Sequence, residues 1–329
     1  MRFSDYMHDW LYGEQGYYAS YHPIGKKGDF YTAVSTSKFF GGTIANHILK
    51  RIDEGFLRTD SLICEIGAHH GYLLADIIEF IHTLRPQLLQ TLRFGIVERF
   101  QALQEAQKNY FDESFGNAVE LEHYSDLSEL DETCTFFVAN EIFDAFPCEL
   151  FYKGKTGRVE NHAVKFEEDD PEITAMAEKY KQDRGEIARG YESFAHAMKN
   201  ASKRFEFMSF DYGELEARSD FSIRVYREHQ VYPLFDETLD LAEVFAQSDI
   251  TYDVNFTHVK EAFEGEGIAC AQYATQLVAL VEMGILDLLA ILKEHAGEEI
   301  YKQELEKAKI LITPSLMGER FKMVRFVKE

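Results

Sequence analysis

The chain has 329 residues, with 34 Lys+Arg against 57 Asp+Glu and a formal net charge of −23. Hydrophobic content of 46%, with 14% aromatic, suffices for a sizeable core and excludes a disordered chain despite the charge. A surface this acidic repels phosphate backbones, and no basic stripe interrupts it, so nucleic acid is not expected as a partner.

Met1 to Trp10 lacks a positive region followed by an apolar stretch, and no later apolar run approaches the ~20 residues a membrane span needs. Cys64, Cys134, Cys148 and Cys270 are scattered without a C-x-x-C pair and read as reduced packing residues. These features predict a cytoplasmic protein without a membrane span.

From Ser61 onward, short apolar runs alternate with segments of helical period, the pattern of an α/β chain with a parallel sheet. Ser61 to Glu65 reads as a strand ending in a carboxylate. A turn with Gly67 and Gly71 follows, and Leu73, Leu74, Ile77, Ile78 and Ile81 form one helical stripe. Leu92 to Val97 is the second strand, ending at Glu98, with a helix through about Tyr110. A third strand spans about Val119 to Glu122. The fourth, Thr135 to Ala139, runs into Asn140-Glu141, and the fifth, Phe205 to Phe210, into Asp211-Tyr212-Gly213. Lys309 to Ile312 and Phe321 to Phe326 read as a closing antiparallel pair. The expected fold is a doubly wound, seven-stranded, mostly parallel Rossmann-like sheet.

The stretch between the fourth and fifth strands exceeds a simple crossover and holds a polar hairpin-like part and a charged helical part, Ile173 to Lys199. A second excursion follows Gly213. Insertions of this size at strand ends build caps. The expected organisation is an N-terminal segment and lid (1–60), a first core half (61–150), a cap insertion (151–204) and a second core half (205–329), with a further insertion at about 214–256.

Ligands of open parallel sheets bind beyond the carboxyl ends of the strands, where strand order reverses. Those ends present Glu65, Glu98, Asn140-Glu141 and Asp211, a mostly acidic rim. The turn Glu65-Ile66-Gly67-Ala68-His69-His70-Gly71 lacks the G-x-G-x-x-G spacing of a dinucleotide site, and an acid before it repels a diphosphate. A dehydrogenase is thereby disfavoured, and the site suits a cationic or zwitterionic ligand. Glu98, one strand on, has the chemistry to accept both hydroxyls of a ribose. A nucleoside with a positive end and no phosphates describes S-adenosylmethionine. Adjacent His69 and His70 cannot easily share one metal ion, and no partner has matching spacing, so no metal is expected.

The sequence also resembles the MidA-type methyltransferases, relatives of mitochondrial complex I assembly factors that methylate a protein arginine. The resemblance covers nearly the whole chain. It rests on Tyr6-Met7 through Gly16-Tyr17-Tyr18, Gly28-Asp29-Phe30-Tyr31-Thr32, Phe40-Gly41, Glu65 to Gly71, Asn140 to Pro147, Asp211-Tyr212-Gly213, Tyr226 to His229 and Met317 to Lys322. It implies a class I methyltransferase core with helical cap insertions and S-adenosyl-L-methionine as methyl donor. The acceptor it implies is a protein arginine, by resemblance in a respiratory-complex subunit. The family turn reads Glu-x-Gly-Pro-Gly-x-Gly, and here Ala68 and His69 replace Pro and the middle Gly. A side chain at 69 either crowds the methionine end of the cofactor or points away.

The cofactor-binding set expected is Glu65, Gly67, Ala68, His69, Gly71, Glu98 and Asp126, with Tyr31 and Thr32 in a lid. The catalytic set expected is Glu141, Asn140 and Asp144. A guanidinium acceptor is protonated at neutral pH, so a carboxylate within hydrogen-bond reach must orient it and take a proton. Glu141 is best placed for this, and Asn140 has the donor and acceptor to hold the group. Structural alternatives are a helix N-cap for Asp144, bonds to loop amides for Glu141 and a strand cap for Asp211. A protein that kept the fold for assembly or binding without catalysis is the second reading, favoured by His69. Leu277 to Leu292, a long apolar helical stretch, serves either the core or an oligomer face.

Overall fold

A computed structural model describes residues 1–19, 32–168, 170–227 and 230–329. The Asp29-Phe30-Tyr31 part of the lid, including the expected cofactor contact Tyr31, lies outside the described residues, as do Glu228 and His229. The chain divides into two compact units. One comprises Tyr31–Asn140, His196–Asp211 and Gly267–Glu329, the other Met1–Phe30, Glu141–Ala195 and Tyr212–Glu266.

The first unit is the sheet read from the sequence. Its strands are β1 (Leu62–Ile66), β2 (Arg93–Val97), β3 (Leu121–Tyr124), β4 (Glu132–Asn140), β5 (Ser202–Glu214, its last three residues in the other unit), β6 (Ala269–Thr275) and β7 (Phe321–Lys328). Their order is β6-β7-β5-β4-β1-β2-β3. Strands β1 and β2 pair in parallel with Leu62 opposite Arg93, as do β2 and β3, β1 and β4, and β4 and β5. Every residue of β1 is buried, because a parallel strand with helices over both faces has no solvent side. That continuous burial is why five apolar-rich residues suffice to mark it.

Helices α1 (Phe39–Asp53) and α2 (Tyr72–Leu84) pack side by side. Gly41 of α1 permits the approach, since a Cβ there would sit 2.6 Å from the Cβ of Asp76 on α2. Ile44, Ile48, Leu74, Ile77, Ile78 and Ile81 fill the core between these helices and the sheet, and burial of each aliphatic chain stabilises by about 1.5–3 kcal/mol. Helix α3 (Gln101–Phe115) follows β2.

The closing antiparallel pair is β6 with β7, bulged between Cys270 and Gln272. Lys309 to Ile312, expected as one of its strands, is instead the last turn of the helix Glu298–Ile312. A four-residue apolar run cannot by itself distinguish a strand from a helix end. The apolar stretch from Leu277 forms the helices Gln276–Glu282 and Ile285–His295, whose Leu280, Ile285, Leu288 and Leu289 join the core.

The second unit carries helical insertions and, besides them, two antiparallel sheets. One has the order Ala163–Glu168, Lys155–Glu160, Cys148–Tyr152, Arg184–Ala188; the other has Gln230–Pro233, Arg224–Arg227, Asp249–Thr251. Two-residue turns at Lys153-Gly154 and Asn161-His162, all at positive φ, close the hairpins of the first sheet. The charged stretch expected to be helical from Ile173 to Lys199 is two helices, Pro171–Lys179 and Tyr191–Ala201, separated by the strand Arg184–Ala188. Pairing of that strand with Cys148–Tyr152 outweighs its helical propensity. The N-terminal helix Phe3–Tyr12 docks through Trp10, whose Nε1 donates to the Ser248 carbonyl at 2.7 Å.

All four cysteines are free, three of them buried. No described helix is long and apolar enough to cross a membrane. Among the described residues no group of three or more His, Cys, Asp or Glu is arranged to hold a metal ion.

Candidate active site

Strand order reverses between β1 and β4, and the turn that leaves β1 lies at that switch point. Gly67 (φ 68°), His69 (φ 48°) and Gly71 (φ 77°) are all left-handed, so the backbone curls tightly between strand and helix. The Gly71 amide donates to the Ala68 carbonyl at 2.8 Å, closing the turn. Outside the turn, the Gly67 amide donates to Val97 at 3.1 Å and the Glu98 amide to Tyr124 at 2.8 Å. The ends of β1, β2 and β3 are therefore stitched in register beyond the last ladder residues.

Gly71 occupies the N-cap of α2 and has no side chain to satisfy the first helical amides. Glu65 serves instead: its Oε2 accepts from the Leu74 amide at 3.0 Å. Burial pushes the Glu65 carboxyl up to about 8, with the Leu74 amide opposing and Asp76 adding to the rise. Asp76 is itself raised to about 7, chiefly by burial, against the nearby Lys38. Glu98 is likewise buried and raised, while the Phe100 amide, 3.0 Å from its Oε1, opposes the shift. Ala68 is buried and Gly67 exposed, and His69 is half-buried with its ring 4.1 Å from and nearly perpendicular to that of His70.

Asp126 follows β3 as N-cap of the short helix Leu127–Glu129, accepting from the Ser128 amide at 2.9 Å; these bonds lower its pKa. Thr32 is the N-cap of Ala33–Thr36, in a reciprocal box with Ser35. Its hydroxyl is thus committed to the helix start, a bond the lid expectation did not contain.

Asn140 ends β4, in the same unit as Glu65 and Glu98. Glu141 begins the other unit with φ 55°, a costly conformation for a residue with a Cβ. Asp144 is buried in the turn Phe143–Ala145, whose N-cap is Ile142, so the N-cap role considered for Asp144 is not what the fold uses. Burial raises Asp144 to about 6, opposed by a hydrogen bond from Tyr212 and the charge of Arg224. Arg224 lies over the Tyr212 ring and pairs with Asp253 at 2.5 Å. The expected cofactor residues from Glu65 to Asp126 thus gather at three adjacent strand ends of one unit, and Glu141 and Asp144 belong to the other. Sequence reasoning missed Asp76, Gln107 and His123, which stand on α2, α3 and β3 beside the turn.

The buried carboxylates and the glycine turn fit S-adenosyl-L-methionine, which offers ribose hydroxyls, a sulfonium and an ammonium-bearing tail and carries no phosphate. Residues 43–274 match the model of a family described as "Putative S-adenosyl-L-methionine-dependent methyltransferase". The chain is 26% identical over 342 residues to the mitochondrial protein arginine methyltransferase NDUFAF7 of Rattus norvegicus, covering 93% of this chain and 76% of that protein. The Homo sapiens protein of the same name is 25% identical over 345 residues, covering 93% and 75%. A solved structure from Burkholderia thailandensis, bound to S-adenosyl-homocysteine, superposes with a TM-score of 0.84 at 24% identity, over 99% of this chain and 87% of that one. These relatives overturn the cytoplasmic location expected from the sequence, because the curated ones are mitochondrial proteins. Composition and charge say nothing about which compartment a chain occupies. With its matched stretch spanning well over half the chain, the chain belongs to this family and is an S-adenosyl-L-methionine-dependent methyltransferase.

Proposed function

We propose that the chain transfers a methyl group from S-adenosyl-L-methionine to a guanidinium nitrogen of an arginine in a protein substrate. The observation that carries this reading is the choice of acidic and amide side chains where the core strands end, Glu65, Glu98 and Asn140-Glu141. The names of the relatives support the acceptor class.

In this reading Gly67, Ala68, His69 and Gly71 hold the methionine end, Glu65 answers its ammonium, Glu98 accepts the ribose hydroxyls and Asp126 completes the nucleoside site. The donor supplies an activated methyl on sulfur. The protein aligns nitrogen, methyl carbon and sulfur, which removes much of the entropic cost of the encounter. The guanidinium, with a pKa above ~12, must lose one proton as the nitrogen–carbon bond forms and the carbon–sulfur bond breaks. Glu141 takes that proton, Asn140 orients the planar group, and Asp144 supplies negative charge close by in sequence.

Incubating the protein with methyl-labelled donor and a mitochondrial extract, followed by hydrolysis and mass spectrometry, tests the reading. Label in methylarginine is expected. Label confined to lysine or to carboxyl groups would sink the acceptor assignment.

A further inference from the structure

Gln107 lies on α3, with no accessible surface at all, in the middle of the strand-end region. Its Nε2 donates to the His69 carbonyl at 2.8 Å, and its Oε1 meets His123 Nε2 at 3.0 Å. Since the amide nitrogen faces a carbonyl, the amide oxygen must face His123, which therefore carries its proton on Nε2. The same side chain favours the ionised form of Glu98, opposing the rise that burial causes. One turn earlier on the same helix face, Gln104 Nε2 donates to the Glu98 carbonyl at 2.6 Å.

The placement has consequences for both halves of the nucleoside site. His69 is the non-glycine residue of the turn that is held left-handed; the bond to its carbonyl fixes the peptide that follows. The Gln107 Cγ lies 3.8 Å from where a Cβ on Gly71 would be, with Phe111 and Ile96 closer still, so the turn is backed by a solid wall. A buried amide held at both its nitrogen and its oxygen is conformationally fixed, and an apolar replacement would strand the His69 carbonyl and the His123 ring N–H.

We infer that Gln107 is a positioning residue for S-adenosylmethionine: one buried amide locks the His69 turn and the Glu98 carboxylate in mutual register, with His123 as its brace. The inference rests on the reading of Glu98 as the ribose acid. It acts without touching the donor, by removing the freedom of the two groups that do.

A double-mutant cycle tests it, with calorimetry of S-adenosylhomocysteine binding to the full chain and a melting curve for each variant. Glu98→Gln, Gln107→Glu, Gln107→Met and the pair Glu98→Gln/Gln107→Glu are compared. Gln107→Met keeps the approximate size without burying a charge beside the His69 carbonyl and Glu98, so it folds if any variant does, whereas Gln107→Glu keeps the acceptor for His123 and loses the donors. Each Gln107 variant is expected to weaken binding about tenfold, as for loss of a hydrogen bond to a charged group. The double variant is expected to lose little more than Glu98→Gln alone, because the two act as one unit. Full additivity, or Gln107 variants that bind like wild type while Glu98→Gln does not, overturns the role of Gln107 and leaves the ribose site standing. Glu98→Gln binding like wild type overturns the ribose site itself.

Discussion

The Glu65 carboxylate caps helix α2 across the glycine turn, accepting from the Leu74 amide at 3.0 Å. The acid at the end of β1 is therefore tied to the helix start before any ligand is considered, and it is buried. Burial dominates its behaviour and keeps the carboxyl protonated well into the neutral range.

Glu65→Gln is expected to melt a few degrees higher than wild type at pH 8 and to match it near pH 4. The folded value of about 8 lies above the ordinary carboxyl value, so the unfolded chain ionises first. Stability is then full below the ordinary value and falls as pH rises through the interval up to the folded one. Glutamine keeps the acceptor for Leu74 and has no charge to desolvate. Thermal melts across pH settle it, and a variant less stable than wild type at pH 8 contradicts the account.

Binding of the donor product should tighten between pH 6 and pH 8. In the proposed site the ligand ammonium favours the ionised Glu65, so below about pH 8 binding releases a proton from this carboxyl. Calorimetry of S-adenosylhomocysteine in two buffers of different ionisation enthalpy reads the proton directly. Proton uptake on binding, or no linkage, rules out contact between Glu65 and the ammonium.

Glu141→Gln is expected to lower turnover by about 10²–10⁴-fold, the range for loss of a general base, with donor affinity nearly kept. The amide is similar in size and cannot take the guanidinium proton. Rates with saturating donor and acceptor, alongside calorimetry, separate the two effects. Retained turnover removes Glu141 from the proton path.

Glu206 on β5 is fully buried and faces His47 at 2.5 Å, Arg51 at 2.8 Å and Arg325 at 3.4 Å. Burial alone would raise its pKa, but the hydrogen bond and charge of His47 with the charges of Arg325 and Arg51 outweigh it and the net shift is downward. Its ionised form therefore adds stability above the ordinary carboxyl range, lost as pH falls through its folded value. Glu206→Ala takes the buried carboxylate away from three basic side chains and should cost about 3–5 kcal/mol. Denaturant unfolding of wild type and variant measures this; a loss under ~1 kcal/mol would show that the cluster is dispensable.

Much of the core was legible because its signals are local. The run Leu62 to Ile66 is apolar on both faces, and each such strand is followed by a carboxylate or amide at the switch-point side. The turn glycines needed no context either, since Gly67 and Gly71 take backbone conformations that side chains resist. The errors fell where local signals are degenerate. Lys309 to Ile312 has strand-like composition and ends a helix, while Arg184 to Ala188 sits in a helix-like stretch and pairs as a strand. The partner of each lies far away in the chain, so no window of residues contains the deciding energy.

By itself, the order of apolar runs, glycines and acids determined an α/β scaffold with a glycine turn and acids where its parallel strands end, because those features are set by burial and backbone sterics within a few residues. Only the tertiary structure decided what the acids do before a ligand arrives: Glu65 caps a helix, Asp144 stands beside Tyr212 and Arg224, and Gln107 is sealed between three strand ends. A side chain's charge state and freedom depend on which distant groups desolvate or bond it, and those neighbours are chosen by the fold.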